Sequence, residues 1–428
     1  MNQKQLLIIV VVALVLGGFV LYSNKQNSAS FQRGERTAGE KLLGDFPVND
    51  VAHITLRQHT GEVNLVRTDV WTVKERDGYP ANEEEIIEFA RKLWNLKAAQ
   101  SQKIGESQLG RLELLAPDKG ATNTGTLVEL KSKDDKLIKS VVLGKKSMRE
   151  SGESSFGGGG GWPNGRWLYV PDKPGTAYLV SEAFSEIEPK PERWLKKDLF
   201  KVEKLKTVSV TNTNATNSWK LTRETENGVL TLADAKPAEQ LDAGKSSPAG
   251  NALSYPSFTD VVSPQAKPEE TGMDNPIVAK IETFDGFNYT VKIGKKTAED
   301  NYYMNMSVSA DLPKERTPGK DEKPEDKEKL DKEFKEKNSK LDEKLKQEKA
   351  FEKWTYLVSK WTVDPLLKVR KDLLAEKKEE PKKEDNKEEK PPQTGVAPDL
   401  LPALPPPLPG AEPKKEEKPP EKKPDGAK

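Results

Sequence analysis

The feature that most constrains this chain is an internal echo. "LGKKS" (143–147) returns as "IGKKT" (293–297), and "AYLVSEAFSEIEPKPERWLKKDLF" (177–200) is answered by "TYLVSKWTVDPLLKVRKDLLAE" (355–376). Earlier, "VSVTNTNATNSWKLTRE" from Val208 parallels the strand-like opening around 50–76, with Trp219 in the role of Trp71. Several echoes in one order require a duplicated unit, because a chain that repeats its pattern repeats its fold. The reading is therefore two similar α+β lobes, 45–200 and 201–376, each β-rich and mixed.

Within the first lobe, "DVAHITLRQHTGEVNLVRTDVWTVKER" (50–76) alternates apolar and polar residues and breaks near Gly or Asp, which predicts a small antiparallel meander. "PANEEEIIEFARKLWNLKAAQ" follows. Asn82 is placed to cap a helix with Glu85 three residues on, and Ile86, Phe89, Ala90, Leu93 and Trp94 form one apolar stripe. "TLVELKSKDDKLIKSVVLGKKS" predicts two strands joined at 133–136, and "IVAKIETFDGFNYTVKIGKKT" repeats that hairpin with Asp285-Gly286 at its turn. The Gly-Lys-Lys copies are not phosphate loops. Such a loop needs glycine five residues before its second glycine, and Lys139 and Tyr289 stand there instead. Each glycine reads as a strand exit and the lysines as solvated turn residues.

The strand–strand–helix rhythm of "GDFPVNDVAHITLRQHTGEVNLVR…WTVKERDGYPANEEEIIEFARKLWNLKAAQ", with the later "YLVS" and "RKDLL", resembles the bacterial domain-of-unknown-function family numbered 4340, over about 42–262. The resemblance implies a membrane-tethered envelope protein associated with ABC-type transporters, including gliding-motility-like auxiliary components. It carries over no catalytic residue. The long charged insertion and the proline-rich tail depart from the family core.

Outside the lobes the chain divides into a short cytoplasmic start (1–5), an apolar run (6–22), a linker (23–44) and a tail (377–428). "LLIIVVVALVLGGFVLY" is uncharged for 17 residues, about 25 Å of helix, and Tyr22 suits an interface. It predicts an uncleaved transmembrane anchor in preference to a cleaved signal, which fixes the expected location. The chain is read as single-pass in a bacterial inner membrane, with its bulk extracytoplasmic, in the periplasm. The tail alternates Lys/Glu clusters with proline and cannot bury enough apolar surface to offset ordering, so it reads as disordered. Cysteine is absent, which removes disulfides and thiolate chemistry, and a net charge of +1 steers the chain toward no nucleic acid.

The second lobe is interrupted by a Lys/Glu-rich insertion, about 313–353, read as a charged helix of the coiled-coil kind. Leu330, Phe334, Leu341 and Leu345 form a narrow stripe on it, available to a partner helix or to its own lobe; the alternative is a solvated spacer. In the first lobe a glycine run precedes "WPNGRWLYV", and Trp162 and Trp167 are the candidates for glycan stacking. A flexible link before a core strand is the plainer reading. His53 and His59, the only histidines, read as surface residues, and no nucleophile elbow or carboxylate pair stands out. The expected function is a non-catalytic accessory or scaffold protein of an ABC-type transport or envelope complex, with no cofactor or metal. A glycan-binding module and an enzyme with an unrecognised site are the alternatives. Oligomeric state is left open.

Overall fold

The alternation in the sequence resolves into two antiparallel sheets. The structure, a computed structural model, describes residues 41–117, 122–148, 162–237, 239–318 and 322–376. Sheet 1 contains β1 (His53–Gln58), β2 (Gly61–Arg67), β3 (Trp71–Val73), β4 (Tyr79–Pro80), β5 (Gln100–Lys103), β6 (Thr126–Lys131), β7 (Leu137–Met148), β8 (Pro163–Tyr169) and β9 (Thr176–Val180). Their spatial order is β4-β3-β2-β1-β6-β7-β8-β9-β5. Sheet 2 contains β10 (Leu205–Thr211), β11 (Trp219–Thr222), β12 (Thr231–Leu232), β13 (Asp260–Val262), β14 (Ile277–Thr283), β15 (Phe287–Lys296), β16 (Asn301–Ala310) and β17 (Thr355–Ser359). Their order is β12-β11-β10-β14-β15-β16-β17-β13.

Without β4 the two orders correspond strand for strand, and so do the registers at the middle of the strands, although β6–β7 shifts at Leu130/Lys131 and β10–β14 at Leu205/Thr207 without a counterpart. Ile54 faces Leu65 and Leu130, as Val208 faces Leu221 and Ile281. Tyr178 lies between Leu168 and Ser101, as Tyr356 lies between Met304 and Val261. Register also corrects one equivalence. Trp219 opens β11, the counterpart of β2, whereas Trp71 opens β3, so the two tryptophans are both buried but not in the same role.

Helices are few: α1 (Glu83–Trp94), α2 (Ala243–Ser246), α3 (Pro268–Thr271), α4 (Pro324–Lys349) and α5 (Lys360–Leu367). The α+β expectation is therefore corrected: the described residues are mostly β, in two large antiparallel sheets. The reason is local. α1 forms as its sequence predicts, with Glu85 N–H donating to the Asn82 side chain and Ile86, Phe89, Ala90 and Leu93 buried. Its counterpart in the second lobe meets "SSPAGN" after one turn and continues only as a 3₁₀ turn (Ser247–Asn251). "PERWLKKDLF" likewise yields only the 3₁₀ turn Pro191–Trp194.

The anchor expected at 6–22 lies outside the described residues. Among the described residues no helix is long and apolar enough to cross a membrane. α4 has the length, at 26 residues, but is charged throughout. The transmembrane helix in the expected fold and the single-pass inner-membrane location are accordingly not supported. α4 also packs on a sheet and not on another helix, so the coiled-coil reading is not supported. The tail, 377–428, lies outside the described residues.

One continuous apolar core serves both sheets. At the seam, Tyr79 of β4 sits edge-on to Trp354, Phe258 and Tyr356, with centroids 5.1, 5.9 and 6.4 Å away. Burial pushes its hydroxyl up to about 12. Beside it Arg76 Nε and Nη2 donate to both oxygens of Asp260 at 2.7 Å, and Lys197 Nζ donates to the Thr259 carbonyl at 2.8 Å.

Candidate functional site

The clearest departure from the repeated plan is α4, inserted between β16 and β17. Its ends suit a helix: Pro324 and acidic Glu325 and Asp326 begin it, and Lys346 and Lys349 close it. At 26 residues it extends about 39 Å. Lys337, Leu341, Lys344 and Glu348, spaced by four, three and four, face sheet 2. Lys337 Nζ lies 3.2 Å from Asp285 in the β14–β15 turn, where Lys204 stands at 3.1 Å. Burial alone would raise the Asp285 carboxyl, but hydrogen bonds from Lys204 and Lys337 outweigh it and hold it low. Lys344 Nζ donates to Glu203 at 2.6 Å and stands 5.2 Å above the Phe287 ring.

Glu348 is the buried end of this face. Its carboxylate accepts from Lys201 N–H at 3.1 Å and from the Tyr289 hydroxyl at 2.8 Å. Burial nevertheless leaves its pKa raised, and the same burial, with the Glu348 charge, raises Tyr289. At the other end, Arg316 donates to Glu322 and, at 2.7 Å, to Asp331, fastening the loop before α4 to the helix.

The four apolar residues picked out on this helix are all half-buried. Leu341 and Leu345 pack against the core of sheet 2. Phe334 and Leu345 line a cleft of about 850 Å³ with Ala310, Leu312, Pro313 and Asn338, while Leu330 lies one turn further out. Asn338 Nδ2 closes one side by donating to the Pro313 carbonyl at 2.6 Å. The stripe thus turns partly inward and leaves Phe334 at the cleft.

Trp162 and Trp167 have different surroundings. Trp162 is 84% exposed, whereas Trp167 packs on Ile104, Leu109, Leu114 and Ala177. The preceding glycine run, 157–161, lies outside the described residues. Two further aromatics missed in the sequence, Tyr255 and Trp361, are 90% and 89% exposed, and Thr362 links their segments by donating to the Ser257 carbonyl. No periodicity marks them.

The surface reading of His53 is also corrected. Its Nδ1 is 2.8 Å from Asp135 and its Nε2 3.0 Å from Asn64 Oδ1, and Asn64 in turn donates to Glu75. The His53 hydrogen bond holds the Asp135 carboxyl low. Thr55 Oγ1 approaches Nε2 at 3.4 Å but donates to Asn64 at 2.9 Å, so the set ties β1, β2 and two turns together and does not expose a nucleophile. In the second lobe Arg370 binds Asp234 and Glu239, drawing Glu239 down to about 2. Among the described residues no cluster of three metal-ligating side chains is suited to hold an ion.

Residues 71–276 match the family model described as a domain of unknown function, DUF4340. This span belongs to the DUF4340 family. It begins at β3 and ends just ahead of β14, so it coincides with neither sheet. The DUF4340 span holds Arg76, Tyr79, Phe258 and Asp260, hence most of the seam, and excludes α4. No curated protein and no solved structure matches the chain.

Proposed function

We propose that this protein is a non-catalytic accessory or scaffold protein that acts by holding another protein, within an ABC-type transport or envelope complex. The observation that carries the reading is α4: a 39 Å charged helix fixed at its C-terminal end by Glu348, bordering an open cleft. The perturbed ionisable groups support it. Glu348, Asp285, Arg370 and Glu239 are all engaged in joining one element of the fold to another, where catalytic groups would converge on a substrate-sized space. The assignment to ABC-type transport comes from the family resemblance.

The test is crosslinking of the full-length protein in its native cells, followed by purification and mass spectrometry. Co-recovery of a transporter component supports the reading. Recovery of wall polymer with no protein partner would sink it in favour of glycan binding, the reading that exposed Trp162, Tyr255 and Trp361 support.

A further inference from the structure

The residues that seat α4 occupy one side of it. Lys337, Leu341, Lys344 and Glu348 turn toward sheet 2, and at about 100° per residue they fall within about 60° of one another. Half a turn round the helix runs a second stripe, from Glu325 to Lys349, at alternating spacings of three and four residues. Every member of it is exposed.

A Lys/Glu stripe is ordinarily a solvated face whose charges meet along the helix at i,i+4. Here most of them do not. Glu325 and Lys332 come no nearer than 4.0 Å to Lys323 and Glu336. Glu328, Asp342, Lys346 and Lys349 enter no ion pair among the described residues, although Asp342 and Lys346 stand four apart.

The order of signs makes the stripe its own complement. Turned end for end at the level of Lys337, near the middle of the helix, Glu325 falls on Lys349, Glu328 on Lys346 and Lys332 on Asp342. Lys335 falls on Ser339. A parallel pairing in register would set each charge on its like. Sliding the antiparallel pairing by seven residues brings Lys335 onto Lys346, or Glu325 onto Asp342.

We propose that this outer face of α4 receives the same face of a second copy of the chain, the two helices antiparallel about a two-fold axis. The contact is isologous, so the three ion pairs are each made twice. The stripe lies on the side of α4 away from sheet 2, which leaves each copy's sheet outside the helix pair. No apolar seam runs between the helices, so this is not a coiled coil. Exposed ion pairs are individually weak, which makes the contact salt-sensitive and dependent on a high local concentration of the chain. The inference does not draw on the transport assignment.

The chain contains no cysteine, so disulfide trapping can address chosen positions. Two differently tagged full-length copies are made in the same native cells, one with Lys335→Cys and one with Ser339→Cys, and the cells are oxidised. A mixed 335–339 disulfide is expected, at least fivefold above the yield from two copies that both carry Glu325→Cys, whose thiols stand at opposite ends of the pair. Adding Asp342→Lys to both copies should lower the mixed disulfide about fivefold or more. Adding Lys332→Asp as well should restore it, because the swap rebuilds the pair across the chains. Within one helix these two positions are ten residues, about 15 Å, apart and cannot compensate each other. Absence of the mixed disulfide, or a 325–325 disulfide in its place, overturns the proposal. So does a yield that Asp342→Lys leaves unmoved, or one that the swap fails to restore while the melting temperature is unchanged.

Discussion

Gly144 and Gly294 explain the repeated Gly-Lys-Lys at the scale of single atoms. Both lie within long strands and not at strand exits, and both coincide with a register shift, between Leu143 and Lys146 and between Ile293 and Lys296. A Cβ on Gly144 would collide with the Leu112 carbonyl oxygen, and one on Gly294 with that of Thr271. The glycine is needed because the end of a preceding helical turn crosses the bulge, in both copies. Gly144→Ala and Gly294→Ala should each destabilise by about 1–3 kcal/mol or more, measured by urea unfolding. Trp71→Ala and Trp219→Ala should each cost about 3–5 kcal/mol. Trp219 additionally loses the hydrogen bond its Nε1 donates to the Lys368 carbonyl at 2.7 Å, so it should fall at the upper end. The glycines and tryptophans were visible in the sequence. The carbonyl oxygens that demand the glycines were not, since nothing local to 143–147 signals a helical turn some thirty residues earlier. His53 was misread for the same reason: its partners come from a turn 82 positions away and a neighbouring strand.

Among the elements, α1 was legible because cap, stripe and length agree within twelve residues. α4 was legible as a helix, but its seat was not, because Lys337, Lys344 and Glu348 look like any other charges in a Lys/Glu run. Burial separates Glu348 and, in part, Lys344, whereas Lys337 stays exposed and is set apart by its contact with Asp285. Glu348 carries a consequence for pH. Its carboxyl lies above the usual 4.5 in the folded protein, so folding favours the protonated form. Its contribution is fully present below the ordinary glutamate range and is lost as pH rises through the raised value. Glu348→Gln should remove that part of the pH slope of unfolding free energy while keeping an acceptor for Lys201 N–H. Glu348→Ala leaves the Lys201 N–H unmatched, while the Tyr289 hydroxyl keeps the Lys201 carbonyl at 3.3 Å, and should cost about 1–3 kcal/mol at pH 7. Hydrogen exchange across 341–348 would show whether the helix end is what loosens. The second copy of α1 was illegible as a helix for the opposite reason: Ser-Pro and Gly stop it after one turn.

At the scale of the whole molecule, the sequence echo reaches down to register, yet the seam between the sheets was beyond it, because Arg76 and Asp260 are 184 positions apart. With one core running through both sheets, the described unit should unfold in a single transition, with calorimetric and van't Hoff enthalpies equal. Two resolved transitions would refute this. A double-mutant cycle on Arg76→Ala and Asp260→Ala should give a coupling of about 0.5–3 kcal/mol, larger than for the exposed pair Lys190–Glu188. The seam also joins unlike surfaces, Tyr79 and Arg76 of one sheet against Phe258 and Asp260 of the other. A joint of that head-to-tail kind can in principle recur without limit. Here it cannot. Gln100 faces Leu179 as Asp260 faces Leu357, so sheet 1 carries Ala98 and Gln100 where sheet 2 carries Phe258 and Asp260. Sheet 2, for its part, ends at β12 with no strand answering to β4 among the described residues. Among the described residues plug and socket each occur once, on opposite members of the pair, and both are already used. Among the described residues the duplication therefore yields two units whose one matched joint is already used between them.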